Sequence, residues 1–406
     1  MTDMETRVAA AKQPLRLGLA LSGGGTRAAV FHLGLLLRLA IQDQLENVTA
    51  LSTVSGGSLV VAAVFGNNSN NWPTSAVFRE EVYPKLRGLL TEKDLFSIPA
   101  LLGPSSLLKH NFRLVNRRAH VLADRLGTEW GVTGNLADLP ISPKWWINAA
   151  SIHSGKNWRF NKGEMGDWKF GRHYSPAVKI AEAAAASAAV PYAIGAFRLE
   201  IPQGGWYRTD PATRKPQRAI DPNAKVLRIW DGGAYDNLGL EALVKPGKPS
   251  ADFDFLICSD ASGVLAPPSG GVVANLIKGN LATPRLFDLM GDQVRSLRSR
   301  MLMREFDYGP MRGVIVRMGN SIRDIDLKAG VIRSEAEHSA YLSDELTKAA
   351  VAHPTALNRL SPAEFNLIAR HGFECSDATL AAHAGTEFDK RSIWPLSINE
   401  MPPRKI

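Results

Sequence analysis

At 406 residues the chain exceeds the roughly 250–300 at which a single core stops growing, so one large domain with insertions, or two domains, is expected and a small stapled scaffold is excluded. Hydrophobic residues make up 45% and charged residues 21%, an ordinary globular mixture that excludes global disorder, coiled coil and collagen-like repeats. The 48 Lys and Arg against 39 Asp and Glu leave a net charge of +9, which favours phosphate-bearing surfaces, whether anionic lipid, nucleic acid or nucleotide. The only cysteines, Cys258 and Cys375, do not make a disulfide framework, so a reducing, cytoplasmic compartment is expected. The opening MTDMETRVAAAKQP lacks an apolar stretch of signal-peptide length, and no later run reaches the roughly 18 uncharged apolar residues of a spanning helix. A soluble protein that visits membrane surfaces is the expectation.

Leu15 to Ser22 (LRLGLALS) ends in Gly23-Gly24-Gly25 and reads as a buried parallel strand entering a glycine turn. Arg27 to Gln44 follows, with Val30, Leu33, Leu37 and Ile41 at the three- and four-residue steps of a helix packed on a sheet. Val48 to Val54 reads as a second strand, then Ser55-Gly56-Gly57 and an apolar helix from about Ser58 to Phe65. Strand, turn and helix thus occur twice, which predicts an α/β fold: a central, mostly parallel sheet between helices, with right-handed crossovers.

Asn67 to Trp72 is a polar loop, and Phe78 to about Gly134 has helical character broken at Pro84, Pro99 and Pro104, so residues 67–134 read as an inserted helical cap. Trp145 to Ile152 resumes strand character, and Gly155 to Tyr174 resembles hairpin or loop material. Ala177 to Ala189 is an alanine-rich helix stopped before Pro191, followed by a turn-rich excursion through Gly204-Gly205 and Pro211 to Pro222. Lys225 to Trp230 is a strand running into Asp231-Gly232-Gly233, and Asp252 to Ser259 is another, ending at Asp260. A later helix carries Leu286, Met290, Val294, Leu297 and Met301 on one face, with Arg285, Arg295, Arg298 and Arg300 elsewhere. Its apolar face reads as packing on the core, with lipid as the other candidate. Gly313 to Met318 reads as a late strand with helices to Ala381. The expected organisation is a flexible segment 1–14, one α/β hydrolase-like domain 15–391 and a tail 392–406.

A glycine run between a strand and a helix turns backbone amides outward beside the positive end of the helix dipole, which suits an anion. One candidate is a pyrophosphate, since Gly23, Gly25 and Ala28 satisfy the dinucleotide pattern G-x-G-x-x-[GA]; the other is the oxyanion of acyl transfer. The dinucleotide reading needs an acid at the end of the second strand. Asp43 has the spacing but falls near the end of the intervening helix, and the strand tip bears Ser55. Ser55 occupies the place of a nucleophile elbow, with Gly57 two residues on and Thr53 where G-x-S-x-G has its first glycine. Ser52 lies within the strand, and Ser58 is followed by Val60 where glycine is wanted; taken alone, Ser55 also suits a helix N-cap. Asp231 at its own strand end is the matching carboxylate. Asp-Gly is also a common turn, and Asp260 is a competing acid without the Gly-Gly that follows Asp231. Parallel sheets gather such strand ends into one crevice.

These stretches resemble the patatin-like phospholipase family: Ser22-Gly23-Gly24-Gly25-Thr26-Arg27 is similar to its glycine-rich oxyanion motif, Val54-Ser55-Gly56-Gly57 to its serine elbow and Asp231-Gly232-Gly233 to its Asp-Gly-Gly motif. Ala183 to Pro191 resembles the small-residue helix and proline between them. The resemblance covers about Leu15 to Gly263 and, more weakly, His353 to Gly372. It implies a Ser55–Asp231 dyad without histidine that cleaves fatty-acyl esters of phospholipids or related lipids through an acyl-enzyme. Gly23, Gly24, Gly25 and Arg27 would surround the oxyanion. Because a free aspartate, with a pKa of roughly 3.9, is a weak base, Asp231 must be partly desolvated to serve.

Other readings stay open at the level of sequence. Arg27 either steadies the glycine loop or adds positive potential, and His32 reads as a satisfied helix histidine. His338, His353, His371 and His383 follow Asp231 in the order of a Ser-Asp-His triad. A Rossmann-type dinucleotide enzyme and a catalytically silent lipid-binding protein are the alternative functions. Leu95 to Leu108, followed by Lys109, Arg113, Arg117 and Arg118, has the apolar-then-basic character of a membrane-facing cap and equally of an ordinary one. The chain has no H-E-x-x-H, paired C-x-x-C or EF-hand motif, so neither metal nor cofactor is expected. Dispersed basic residues point to a lipid or membrane-surface partner and not to nucleic acid. Nothing in the sequence marks an oligomeric state.

Overall fold

A computed structural model describes residues 14–95, 117–191, 193–210, 213, 215–263, 282–388 and 391–395. The expected N-terminal segment, most of the tail and the apolar-then-basic stretch at 96–116 lie outside the described residues. A 12-stranded mixed sheet organises the chain. Its parallel half runs β12 (Gly313–Arg317), β11 (Phe255–Asp260), β1 (Leu17–Leu21), β2 (Val48–Val54) and β3 (Lys144–Ser151). An antiparallel meander continues from β3 through β4 (Lys156–Phe160), β5 (Glu164–Asp167), β6 (Gly171–Tyr174), β8 (Trp206–Thr209) and β9 (Pro216–Ile220). The Gly155–Tyr174 stretch, read as hairpin or loop, is thus three short strands; their Gly-rich sequence hides a period-2 pattern.

The remaining strands, β7 (Phe197–Glu200) and β10 (Val226–Asp231), form an antiparallel branch on β3. β4 occupies one edge of β3 from Ile147 to Ser151, so β10, paired with Ala149 to Ser151, must lie on the other edge. That is the edge on which β2 pairs in parallel as far as Asn148. β2 and β10 therefore run toward each other along a single edge and meet at Asn148 and Ala149. The strand before Asp231 is antiparallel to β3, and the meeting of strand tips arises head to head as well as side by side.

Helices α1 (Gly25–Ile41), α2 (Gly56–Gly66), α3 (Tyr83–Glu92), α4 (Arg118–Trp130) and α5 (Ile180–Ser187) are followed by α6 (Ala282–Tyr308), α7 (Ile322–Ala329), α8 (Asp344–Ala352) and α9 (Pro362–His383). Pro84 sits in the first turn of α3, directly after a π-helical segment at Phe78–Val82, so the chain stays helical across it instead of breaking. Side-chain alternation divides the core between the two faces of the sheet. Leu17, Leu19, Leu21 and Leu51 pack with α1, α2 and α9, whereas Ala20, Ala50, Leu256 and Cys258 pack with Leu238, Leu240 and Leu302. Both cysteines are buried free thiols.

α1 is buried on all sides from Gly25 to Ala40, which requires each polar group on it to be matched. Arg38 and Asp377 on α9 form a fully buried pair at 2.6 Å, and the second Asp377 oxygen takes Arg391 at 2.5 Å. The two helices approach so closely that a side chain on Gly34 would overlap the Ala369 carbonyl, and one on Gly372 the Phe31 carbonyl. Backbone presses on backbone there, so the helices must separate to admit a methyl group. Gly372→Ala is expected to lower unfolding free energy by about 1–3 kcal/mol in urea titrations; an unchanged midpoint would contradict this account of the crossing.

Candidate active site

The tips of β1, β2 and β11 lie level, with Leu21 opposite Thr53 and Ser259. Beyond Leu21 the chain is held by Ser22 N–H to Ser259 O at 3.1 Å, and by Ala261 N–H to Ser22 Oγ at 2.8 Å. Gly23 packs against the Ser55 Cβ, and Gly25 adopts φ 66° with the Ala356 carbonyl where a side chain would project, so glycine is required there. Of the expected oxyanion donors, the Gly23 amide is committed to Asn237 O at 3.1 Å. The Gly24 and Gly25 amides have no partner among the described residues. The Arg27 side chain lies beside the loop, its Nη2 3.6 Å from where a Gly24 Cβ would stand. Its guanidinium donates to Val351 O, His353 O and Thr355 Oγ1 at 3.1, 2.7 and 3.1 Å, bracing the glycine turn against the α8–α9 connection.

Ser55 follows β2 with φ 49° and ψ −117°, outside the three regions open to a residue with a Cβ. It stands at the N-cap of α2, yet its side chain makes no capping hydrogen bond. The N-cap reading therefore fails for the hydroxyl. The Ser55 amide is tied to Ser187, and the residue, 5% exposed, has its hydroxyl free of any capping role and turned to Asp231.

Asp231 ends β10, is likewise 5% exposed, and lies beside Ser55 because the two strands collide at Asn148 and Ala149. Its Oδ1 accepts from Gly233 N–H at 2.6 Å, while the buried Oδ2 has no partner at full hydrogen-bond geometry. Burial pushes the carboxyl up from 3.8 to about 6, and interaction with the Ser55 hydroxyl and the Gly233 amide offsets part of that rise. The competing acid, Asp260, is engaged elsewhere: its Oδ2 lies 3.5 Å from both Arg295 and Arg317. Asp43 pairs with Arg79 at 3.0 Å beyond the far end of α1, away from the tip of β2.

His32, His338, His353 and His371 make contacts elsewhere, and His383 lies at the end of α9. Burial lowers His32 to about 4, and the neutral ring donates Nε2–H to Ser22 O and accepts Ser259 Oγ–H at Nδ1, both at 2.9 Å. It is a support beneath the glycine loop. His371 accepts the Gly319 N–H at 3.0 Å, His338 faces Asp326, and His353 lies against Pro354 O and Glu364. None of these contacts reaches Ser55 or Asp231. A cavity of about 1830 Å³ opens between Ile322, Tyr341, His353 and Trp394, and neither residue of the pair lines it.

Ser187, Asn148, Thr53 and Asn237 are the residues that sequence reasoning missed. Ser187 Oγ accepts the Ser55 N–H at 3.0 Å, and its backbone carbonyl accepts the Gly232 N–H at 3.1 Å, so the end of α5 holds both members of the pair. Four side chains form a chain with only one possible direction, since Trp145 Nε1 can only donate and a carbonyl can only accept. Trp145 Nε1–H reaches Thr53 Oγ1 at 2.9 Å, Thr53 donates to Ser58 Oγ at 2.8 Å, and Ser58 to Ser187 Oγ at 2.8 Å. Ser187 ends the chain on Asn148 O at 2.5 Å. Thr53, the departure from G-x-S-x-G, is thus a relay in a buried network, and a serine in the alanine run was the available signal for Ser187. Asn237 joins the glycine loop to the turn after Asp231, and its Nδ2 donates to Ser262 Oγ at 2.8 Å. Ser187→Ala strands the Ser55 amide and the Ser58 hydroxyl. It is expected to cost about 1–3 kcal/mol in chemical denaturation, and a loss below about 0.5 kcal/mol would refute the network's role.

Among solved structures, human GIVD cytosolic phospholipase A2 superposes with a TM-score of 0.56 at 14% identity, over 92% of this chain and 62% of that one. The same human enzyme in complex with methyl gamma-linolenyl fluorophosphonate and terbium chloride gives 0.54 at 16% identity, over 93% and 60%. The chain spans less than two thirds of those proteins, and at such identity the likeness is one of fold. VipD from Legionella pneumophila aligns at a TM-score of 0.34 and 14% identity, over 91% of this chain and 67% of that one. No curated protein matches the chain. The patatin-like phospholipase family matches residues 19–244, more than half the chain and the whole span from β1 past Asp231, and it is to this family that the protein belongs.

Proposed function

We propose that the protein is a serine lipid acyl hydrolase that cleaves fatty-acyl esters of phospholipids or related lipids with Ser55 as nucleophile and Asp231 as its base. The observation that carries the reading is an uncapped serine hydroxyl in strained backbone beside a buried carboxylate poised near 6. Asp231 takes the Ser55 proton as Oγ bonds to the ester carbonyl carbon, and the charge passes to the carbonyl oxygen. The amides of Gly24 and Gly25, at the positive end of α1, stabilise that oxyanion, and Gly56, the residue after the nucleophile, adds its amide. Collapse of the adduct breaks the ester C–O bond, and the leaving alcohol takes the proton from Asp231. Water repeats the sequence on the acyl-enzyme: Asp231 accepts its proton, and the fatty acid departs as Ser55 is reprotonated.

Family membership supports the chemical class, and the fluorophosphonate complex of the human phospholipase A2 fits a serine nucleophile on this fold. The two unpaired thiols suit a cytoplasmic setting, and no described helix is long and apolar enough to cross a membrane. Contact with lipid is then peripheral.

Ser55→Ala is expected to abolish both ester hydrolysis and covalent labelling by a fluorophosphonate, with a loss of at least about 10³-fold; full activity would end the assignment. Asp231→Asn should abolish hydrolysis without lowering the melting temperature at pH 8, since it removes a buried charge. A large fall in melting temperature would mark a structural carboxylate instead. Because the base must be ionised, kcat/KM is expected to fall as pH drops through about 6. A profile flat down to pH of about 4.5 would show that Asp231 has the pKa of an ordinary carboxyl.

A further inference from the structure

Helix α6 (Ala282–Tyr308) packs Leu302, Met301 and Phe306 on the core but turns an apolar row outward along its earlier turns. Leu286, Leu289, Met290 and Leu297 are 56%, 51%, 56% and 53% exposed, and Val294 on the same side is also exposed. Core packing, the sequence expectation for this face, holds for Met301 but not for Leu286, Met290, Val294 and Leu297. The arginines turn inward instead. Arg295 lies 3.5 Å from Asp260, Arg298 lies 3.4 Å from Asp236, and the Arg298 guanidinium stands 5.6 Å over the Tyr235 ring. Both aspartates are buried, so rolling the helix to hide its leucines would take Arg298 from Asp236, leave Asp260 with Arg317 alone and pull Leu302 out of the core. The outward row is therefore fixed by electrostatics.

At 100° per residue, Arg300 and Arg304 come round to the side of Leu286 and Leu297, and both are exposed. The face is apolar for its first turns and ends in Arg300 and Arg304 with a single exposed carboxylate, Asp307, beside them, a net-cationic end of the kind found on helices lying in a lipid interface. Its inner side abuts the turn after Asp231 and the tip of β11, which is the end of the sheet that bears Ser55.

We propose that α6 docks the protein on anionic bilayers, its leucine row in the boundary between headgroups and acyl chains and Arg300 and Arg304 on lipid phosphates, so that the Ser55 end of the sheet meets the membrane. The choice of lipid as occupant rests on the hydrolase reading, on the net charge of +9 and on the two arginines beside the row.

Vesicle flotation tests it, with phosphatidylcholine vesicles with and without phosphatidylserine. The double variant Leu289→Ser/Leu297→Ser is expected to partition at least about tenfold less onto phosphatidylserine-containing vesicles. Arg300→Glu/Arg304→Glu is expected to lose about as much on those vesicles and little on phosphatidylcholine alone. Both variants should hydrolyse a soluble short-chain ester as the parent does, which shows the fold intact. Ser55→Ala should float like the parent while losing hydrolysis, so failure of the catalytic reading is seen separately from failure of docking. No flotation of the parent protein, or undiminished flotation of the leucine variant, overturns the proposal. So does a parent dimer in light scattering that the leucine variant dissociates, which would assign the row to a second copy of the chain.

Discussion

One edge of β3 has to serve two strands. β2 advances along it to Asn148, β10 advances from the opposite end to Ala149, and neither can continue without displacing the other. Each chain must leave the sheet at the collision, which puts Ser55 just past the end of β2 and Asp231 at the last pair of β10. Hydrogen bonding along β3 therefore sets their proximity, with the stiffness of a sheet and not of a loop. α5 closes the junction from above. Through a single residue, Ser187, it takes the amide after the first strand on its hydroxyl and the amide after the second on its carbonyl.

Such a junction carries a thermodynamic cost. Ser55 holds a backbone conformation worth roughly 1–3 kcal/mol of strain. The Asp231 carboxyl, at about 6 in the fold against 3.8 when free, costs on the order of 3 kcal/mol when ionised. The sign follows from proton binding: between about 4 and 6 the folded state holds a proton that the unfolded chain has released. The penalty is complete above pH of about 6 and vanishes below about 4, so this carboxylate makes the fold less stable at the pH where a base is useful. Compensation comes from elsewhere, chiefly the apolar packing of α1 between the sheet and α9. Asp377 on α9 takes Arg38 of α1 on one oxygen and Arg391 on the other, tying the same helix pair together.

The parts of the site written locally in the chain were legible. An apolar run stopped by Gly23-Gly24-Gly25, another stopped by Ser55, and Lys225 to Trp230 stopped by Asp231 each announce a strand and its turn. Strand direction was not legible, because alternation in Lys225 to Trp230 is the same read either way, and the antiparallel course of β10 depends on which edge of β3 is vacant. Long-range hydrogen bonding was equally hidden. The Gly23 amide is claimed by Asn237 and the Arg27 guanidinium by residues more than 300 positions away, so neither commitment could be read from the motif containing them. Ser187 was concealed by its neighbours: in an alanine run a serine differs by one oxygen, and that oxygen holds the elbow.

Helix α6 shows the same limit in another form. Periodicity finds an apolar face but carries no sign, since burial in a core and exposure to lipid require the same spacing. The sign is set by what the other face meets. Here that face meets Asp236 and Asp260, carboxylates buried at the two strand ends that flank the site, and arginine is the side chain able to reach and neutralise them. Once Arg295 and Arg298 are drawn inward beside Leu302, Leu286, Leu289 and Leu297 have nowhere to point but out. The charges that complete the interior around the strand tips are thus also what presents an apolar row to the surroundings, and the site and its outer surface are two consequences of one set of ion pairs.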